Sequence, residues 1–135
     1  MFYFVHFNVM KINDRASLSF VIDCGPFTYE PNDDYPDFVI PLAKKIAKDK
    51  SSRGIILAGS GQGEVIAANR IKGVRAVIYY GGKNPSKILK PSRAHNDSNI
   101  LSLGARFLNE GEIERAVKIW LKAPFSNATR HKRRL

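Results

Sequence analysis

The chain is short of cysteine, of acidic residues and of long apolar runs, and each shortage excludes something. A single cysteine, Cys24, rules out an internal disulfide and points to a reducing, cytoplasmic setting. Nothing beside it in sequence would activate its thiol, so it reads as a structural residue. No apolar stretch approaches the roughly 20 residues of a membrane span, and no membrane partner is expected. The start, MFYFVHFNVMKI, is apolar but has no basic leader and no small-residue cleavage site, so no signal peptide is expected. There is no internal repeat and no low-complexity linker. No His, Cys and Asp cluster has ligand spacing, so neither a metal nor another cofactor is called for. A length of 135 residues then fits one domain, 1–135, around one core.

Twelve acidic residues face 22 basic ones, a formal net charge of +10. Such a balance implies an anionic partner. Nucleic acid, anionic lipid and phosphorylated metabolites all carry the right sign. Within the basic tail, 124–135, Arg130, Lys132, Arg133 and Arg134 crowd together, and the ordinary reading is a solvated end. It has no interleaved aromatics for base stacking, so nucleic acid is not expected.

What is present is an alternation of helical and strand-like segments from residue 36 onward, the pattern of an α/β fold. The expected architecture is a three-layer, Rossmann-like sandwich whose sheet has about five strands, mostly parallel. Helices are expected over 36–50, with Phe38, Leu42 and Ile46 inward and Pro41 as a kink, over 62–71, and over 84–94 with a break near Pro91. A last helix over 109–122 would turn Ile113, Val117, Trp120 and Leu121 to the core. Strands are expected over 54–58, 74–80 and 99–103. The N-terminal stretches FYFVHFNVMKI and SLSFVID are separated by only NDRA. A parallel crossover needs about 10 to 12 residues, so a hairpin turned at Asn13-Asp14 fits better. The competing arrangement shortens both strands and places a helical turn or two between them.

Residues 58–70, AGSGQGEVIAANR, carry the chemistry. A strand, a loop with Gly59, Gly61 and Gly63, then a helix is an anion-binding geometry: free amides and a positive dipole end converge there. No Lys-Ser/Thr follows, so it is not a Walker loop. Taken alone, the loop is equally a tight turn that needs glycine for packing, and Glu64 an acid favoured by the helix dipole.

The wider pattern resembles the ribose-5-phosphate isomerase B family, which includes the galactose-6-phosphate isomerase subunits. The pieces are Asp34-Tyr35-Pro36, the GSGQG loop, Ala67-Ala68-Asn69, His95-Asn96-Asp97, Gly104-Ala105-Arg106 and RHKRR at 130–134, in family order over about residues 21–135. The resemblance implies an aldose–ketose isomerase acting on ribose 5-phosphate and ribulose 5-phosphate without a metal. Many members carry a catalytic cysteine just before the glycine loop; Ala58 stands there. A second class uses a glutamate at the position of Glu64, which is thereby implied as the general base. The resemblance further implies Ser60 and the loop amides as donors to the enediolate, and His95 in ring opening. It implies Tyr35, Gly59, Gly61, Gln62, Gly63, Asn96 and Arg106 as substrate contacts, and Arg130 and Arg134 as the phosphate grip. Family sites lie between subunits, so a homodimer, or a tetramer built from two of them, is implied.

One departure stands out. Family members begin with a strand ending in an Asp-His pair followed by a long helix, whereas residues 1–20 here are atypical and several residues too short. Val5 and His6 are the candidates for those two places. The rival expectation is therefore a phosphosugar-binding paralogue or partner subunit without catalysis.

Overall fold

A computed structural model describes residues 6–11, 20–28 and 30–135. The elements run β1 (His6–Lys11), β2 (Phe20–Asp23), α1 (Tyr35–Lys48), β3 (Ser52–Ala58), α2 (Gln62–Asn69), β4 (Ala76–Tyr79), α3 (Pro85–Ala94), β5 (Ile100–Gly104), α4 (Glu110–Lys122) and α5 (Thr129–Lys132). The strands form one sheet in the order β2-β1-β3-β5-β4.

β3, β5 and β4 pair in parallel, with Gly54 beside Ile100 and Ala76 on its other side. Helices supply the connections, as parallel strands require. β1 is antiparallel to both neighbours, Asn8 facing Asp23 on β2 and Ile55 on β3. The expected mostly parallel sheet is therefore mixed, with two parallel and two antiparallel pairings. The reason is chain length: eight residues separate β1 from β2, too few for a helical crossover. β2 itself runs in the same sense as β3, joined to it through α1, so β1 alone is reversed. The turn expected at Asn13-Asp14, and Val5, lie outside the described residues.

Two apolar layers sandwich the sheet. Val39, Leu42, Ala43 and Ile46 of α1 and Ala67 and Ala68 of α2 pack on Ile56, Ala58 and Ile100. On the other face Leu89 of α3 and Ala116 and Trp120 of α4 pack on Ile55, Tyr79, Leu101 and Leu103. Consecutive residues of β3 and β5 thus serve opposite layers, as the two-residue strand period demands. Every residue of β5 is buried, the condition of a strand covered on both faces. Phe38 joins the first layer, and Ile113, Val117 and Leu121 the second, as partly buried neighbours.

Both interior prolines are accommodated. α1 continues through Pro41, which sits on its exposed side. α3 also continues through Pro91, so the expected break is absent. Its last turn is secured downstream by His95 N–H donating to Pro91 O and Asp97 N–H to Arg93 O. α4 starts with a capping box, Asn109 and Glu112 each accepting from the other's backbone amide.

Candidate active site

β3 delivers the chain to the glycine loop at its C-terminal end, and each glycine there has its own cause. Gly61 caps α2 at φ +74° in the left-handed region, and a Cβ on it would collide with Ser102 Oγ from neighbouring β5. Ser102 Oγ instead donates to Gly61 O at 3.2 Å. A Cβ on Gly59 would meet the Arg106 guanidinium at 3.0 Å, and one on Gly63 the Tyr35 hydroxyl at 2.6 Å. The turn after β5 is stitched to the loop by Ala105 N–H donating to Ala58 O and Arg106 N–H to Gly59 O. The glycines therefore create room for the two side chains that the sequence pattern paired with them.

Val65 N–H donates to Gly61 O, the first bond of α2. Among the described residues, the Gly63 and Glu64 amides ahead of it have no backbone partner. Gln62 N–H approaches Ser60 Oγ at only 3.5 Å. These groups border a cleft of about 420 Å³ lined by Gly59, Ser60, Gly63, Glu64, Tyr35, Phe38 and Arg106, and by Pro26, Thr28, Glu30 and Asp33 from the β2–α1 loop. Glu64 is only 8 % exposed, and no hydrogen bond or ion pair holds its carboxylate among the described residues. Gln62 is exposed and does not line the cleft. Ala58, with no reactive group, is buried beneath the loop.

A second group of expected site residues lies at the other end of the sheet. His95 and Asn96 precede β5, at the edge where β3 and β5 begin. The four register steps from Gly54/Ile100 to Ala58/Gly104 span about 13 Å along the strands. Within one chain, His95, Asn96, Arg130 and Arg134 therefore do not join Glu64. β1, being reversed, begins at the glycine-loop edge: His6 is in register with Leu57, one residue before Ala58.

The tail is not a loose end. His131 of α5 is only 4 % exposed and packs on His95, ring centres 4.4 Å apart. Ser126 Oγ lies 2.6 Å from His131 Nδ1, and Arg130 Nε donates to His131 Nε2 at 3.1 Å. Accepting from a guanidinium requires a lone pair on Nε2, so the neutral ring keeps its proton on Nδ1, directed at Ser126. Burial lowers the His131 pKa, and the charges of His95, Arg130 and Arg134 lower it further, against a backbone hydrogen bond at Ala94 that raises it.

The loop carrying His95 and Asn96 is anchored by residues that spacing did not single out. Asp97, at φ +43°, accepts from Arg75 at 2.7 Å and from Arg93 at 2.8 Å. Buried Arg93 also donates to Ser98 O and Ala123 O, and its guanidinium lies 5.7 Å from the Trp120 ring centre. Trp120 Nε1 donates to Ser98 Oγ. Asn99 accepts from Arg75 N and donates to Gly73 O. Among the described residues, no group of three or more His, Cys, Asp or Glu is arranged to hold a metal. No helix among them is long and apolar enough to cross a membrane.

Residues 8–135 match the family described as Ribose/Galactose Isomerase. Ribose-5-phosphate isomerase B of Mycolicibacterium paratuberculosis is 38 % identical over 114 residues, covering 84 % of this chain and 69 % of that protein. A solved structure of ribose-5-phosphate isomerase B from Mycoplasma genitalium with bound ribulose-5-phosphate superposes with a TM-score of 0.74 at 38 % identity, covering 84 % of this chain and 72 % of that one. The type B ribose 5-phosphate isomerase of Trypanosoma cruzi gives a TM-score of 0.74 at 39 % identity, with 82 % and 71 % covered.

Proposed function

Because this chain belongs to the ribose/galactose isomerase family, we propose that it interconverts ribose 5-phosphate and ribulose 5-phosphate with Glu64 as the general base. One observation carries the reading: Glu64, 8 % exposed, lies in the wall of a cleft beside Ser60 and the start of α2, and among the described residues nothing holds its carboxylate or the backbone amides of Gly63 and Glu64.

The chemistry asks little else. The Glu64 carboxylate takes the proton from C2 of the open-chain aldose. The C2–H electron pair forms a C1–C2 double bond, and the carbonyl pair moves onto O1. Ser60 Oγ and the loop amides donate to that oxygen, the place where donors aimed at developing charge are worth most. Glu64 returns the proton to C1, the C2 carbonyl forms, and the hydroxyl proton passes from O2 to O1. One carboxylate serves both carbons if it stays within hydrogen-bond reach of each.

His95, Asn96, Arg130 and Arg134 act on the substrate of a second copy, since within one chain they occupy the opposite sheet edge. Their side chains supply ring opening, a hydroxyl contact and the phosphate grip. Two guanidinium groups suit a phosphate. The functional unit is accordingly a homodimer or a pair of homodimers. Ribulose 5-phosphate formed from ribose 5-phosphate by the purified protein, and lost in Glu64→Gln, tests this directly.

The reversal of β1 favours a second reading, a phosphosugar-binding paralogue or partner subunit. It predicts binding of ribose 5-phosphate with no ribulose formed by the wild type.

A further inference from the structure

The cleft beside Glu64 has a wall that the isomerase reading leaves without a task. Glu30-Pro31-Asn32-Asp33 forms a reverse turn closed by Asp33 N–H donating to Glu30 O at 3.1 Å. Proline at the second position and asparagine at the third suit such a turn. Its effect is to set Glu30 and Asp33 at adjoining backbone positions, and both line the cleft together with Thr28. Neither carboxylate has an ion-pair partner among the described residues, in a chain with 22 basic residues.

Acids are out of place around a simple anion site, because like charge repels what the amides attract. They are well placed around a polyol: an ionised carboxylate accepts from hydroxyl donors in charge-assisted bonds, about twice as strong as neutral ones. A cation is the other ligand of a carboxylate group, but no trio including these residues is arranged to hold one among the described residues. The independent pointer to a ligand is Glu64 itself, 8 % exposed, unpartnered among the described residues and lining the same space. Arg106 supplies the opposite charge on the glycine-loop side. The cleft is therefore two-faced, with donors and one guanidinium at the loop and acceptors at the turn.

We propose that the Glu30–Asp33 turn is the hydroxyl-recognising wall of this cleft, selecting polyhydroxylated sugar phosphates over phosphate alone. The proposal rests on the sugar-phosphate reading above and adds the residues that read the sugar.

The test is calorimetric titration of the full-length protein with ribose 5-phosphate and, separately, with inorganic phosphate, for wild type, Glu30→Gln, Asp33→Asn and the double variant. Both side chains are on the surface, so the isosteric amides preserve the fold, and the inorganic-phosphate titration reports on the folded site. Losing charge-assisted bonds predicts ribose 5-phosphate affinity about tenfold weaker in the double variant. Inorganic phosphate affinity stays at the wild-type value or rises, since two like charges leave the cleft. Equal changes for both ligands, no change for either, or tighter ribose 5-phosphate binding overturns the proposal. Where the wild type turns the sugar over, the titration reads affinity for the equilibrated aldose–ketose mixture, so the two readings still fail separately. A wild type that binds but does not isomerise sinks Glu64 as base and leaves the wall standing. Variants that bind like the wild type sink the wall alone.

Discussion

The imidazole of His131 lies 4.4 Å from that of His95, ring centre to ring centre, tilted by 36°. This contact fastens the basic tail to the end of α3, beside the bond from Ser126 N–H to Ala94 O. Its strength depends on pH. The folded-state pKa of His131 is lowered, by burial first and then by His95, Arg130 and Arg134. The undocked ring has the ordinary value of about 6.5, so it binds more protons than the docked ring as pH falls through that region. Docking is at full strength above about pH 6.5 and weakens as pH drops from there toward the lower folded value. Protection factors for amide hydrogen exchange across 126–135, referenced to the intrinsic rate at each pH, should be high at pH 7.5 and fall at pH 5. His131→Phe should abolish that dependence.

Asp97 holds two guanidinium groups, one of them the buried Arg93. Asp97→Ala leaves that charge with only carbonyl acceptors and the Trp120 face. A buried charge stripped of its carboxylate costs about 3 kcal/mol of stability. Chemical denaturation measures it. Arg75→Ala, removing the more exposed partner, should cost about 1 kcal/mol or less.

Gly61→Ala combines strained backbone with a clash. The left-handed φ of +74° alone costs about 1 kcal/mol for a residue with a Cβ. The collision with Ser102 Oγ adds to it, so the double variant Gly61→Ala/Ser102→Gly should recover part, not all, of the loss. Thermal unfolding of the three proteins reads this out.

Much of this arrangement was legible in the residues. The period of Leu42 and Ile46, and of Val117 and Trp120, marks helix faces because each stripe meets a single layer. The shortness of NDRA announced the reversal of β1, since backbone reach is a local property. Glu64 stood out because an acid beside bare amides demands a reason. Pro91 misled: a proline in isolation breaks a helix, but α3 resumes its own bonding past it, His95 N–H to Pro91 O, and Ser126 N–H, which only the fold brings near, takes Ala94 O. His131 was hidden for the same kind of reason. Within RHKRR it looks like one more solvated polar residue, and its burial depends on Ser126 and His95 meeting it in space. Asp97 likewise shows its partners, Arg75 and Arg93, only once β4 and α3 flank β5.

If each site takes Glu64 from one chain and the tail arginines from its neighbour, two inactive variants should rescue each other. Mixing Glu64→Gln with Arg130→Ala/Arg134→Ala in equal amounts, with subunit exchange, should restore about a quarter of wild-type activity, one intact site in half of the dimers. Activity of the mixture no greater than the two variants apart would place the whole site within one chain.

The most direct measurement follows the hydrogen itself. Ribose 5-phosphate is incubated with the protein in deuterium oxide and the C1 and C2 positions are followed by proton NMR. The wild type should incorporate deuterium at the carbon that receives the proton during isomerisation, to the extent that the proton on Glu64 exchanges with solvent. Glu64→Gln should show neither label nor ribulose 5-phosphate. Incorporation and conversion at the wild-type rate in Glu64→Gln would contradict a proton shuttled by this carboxylate.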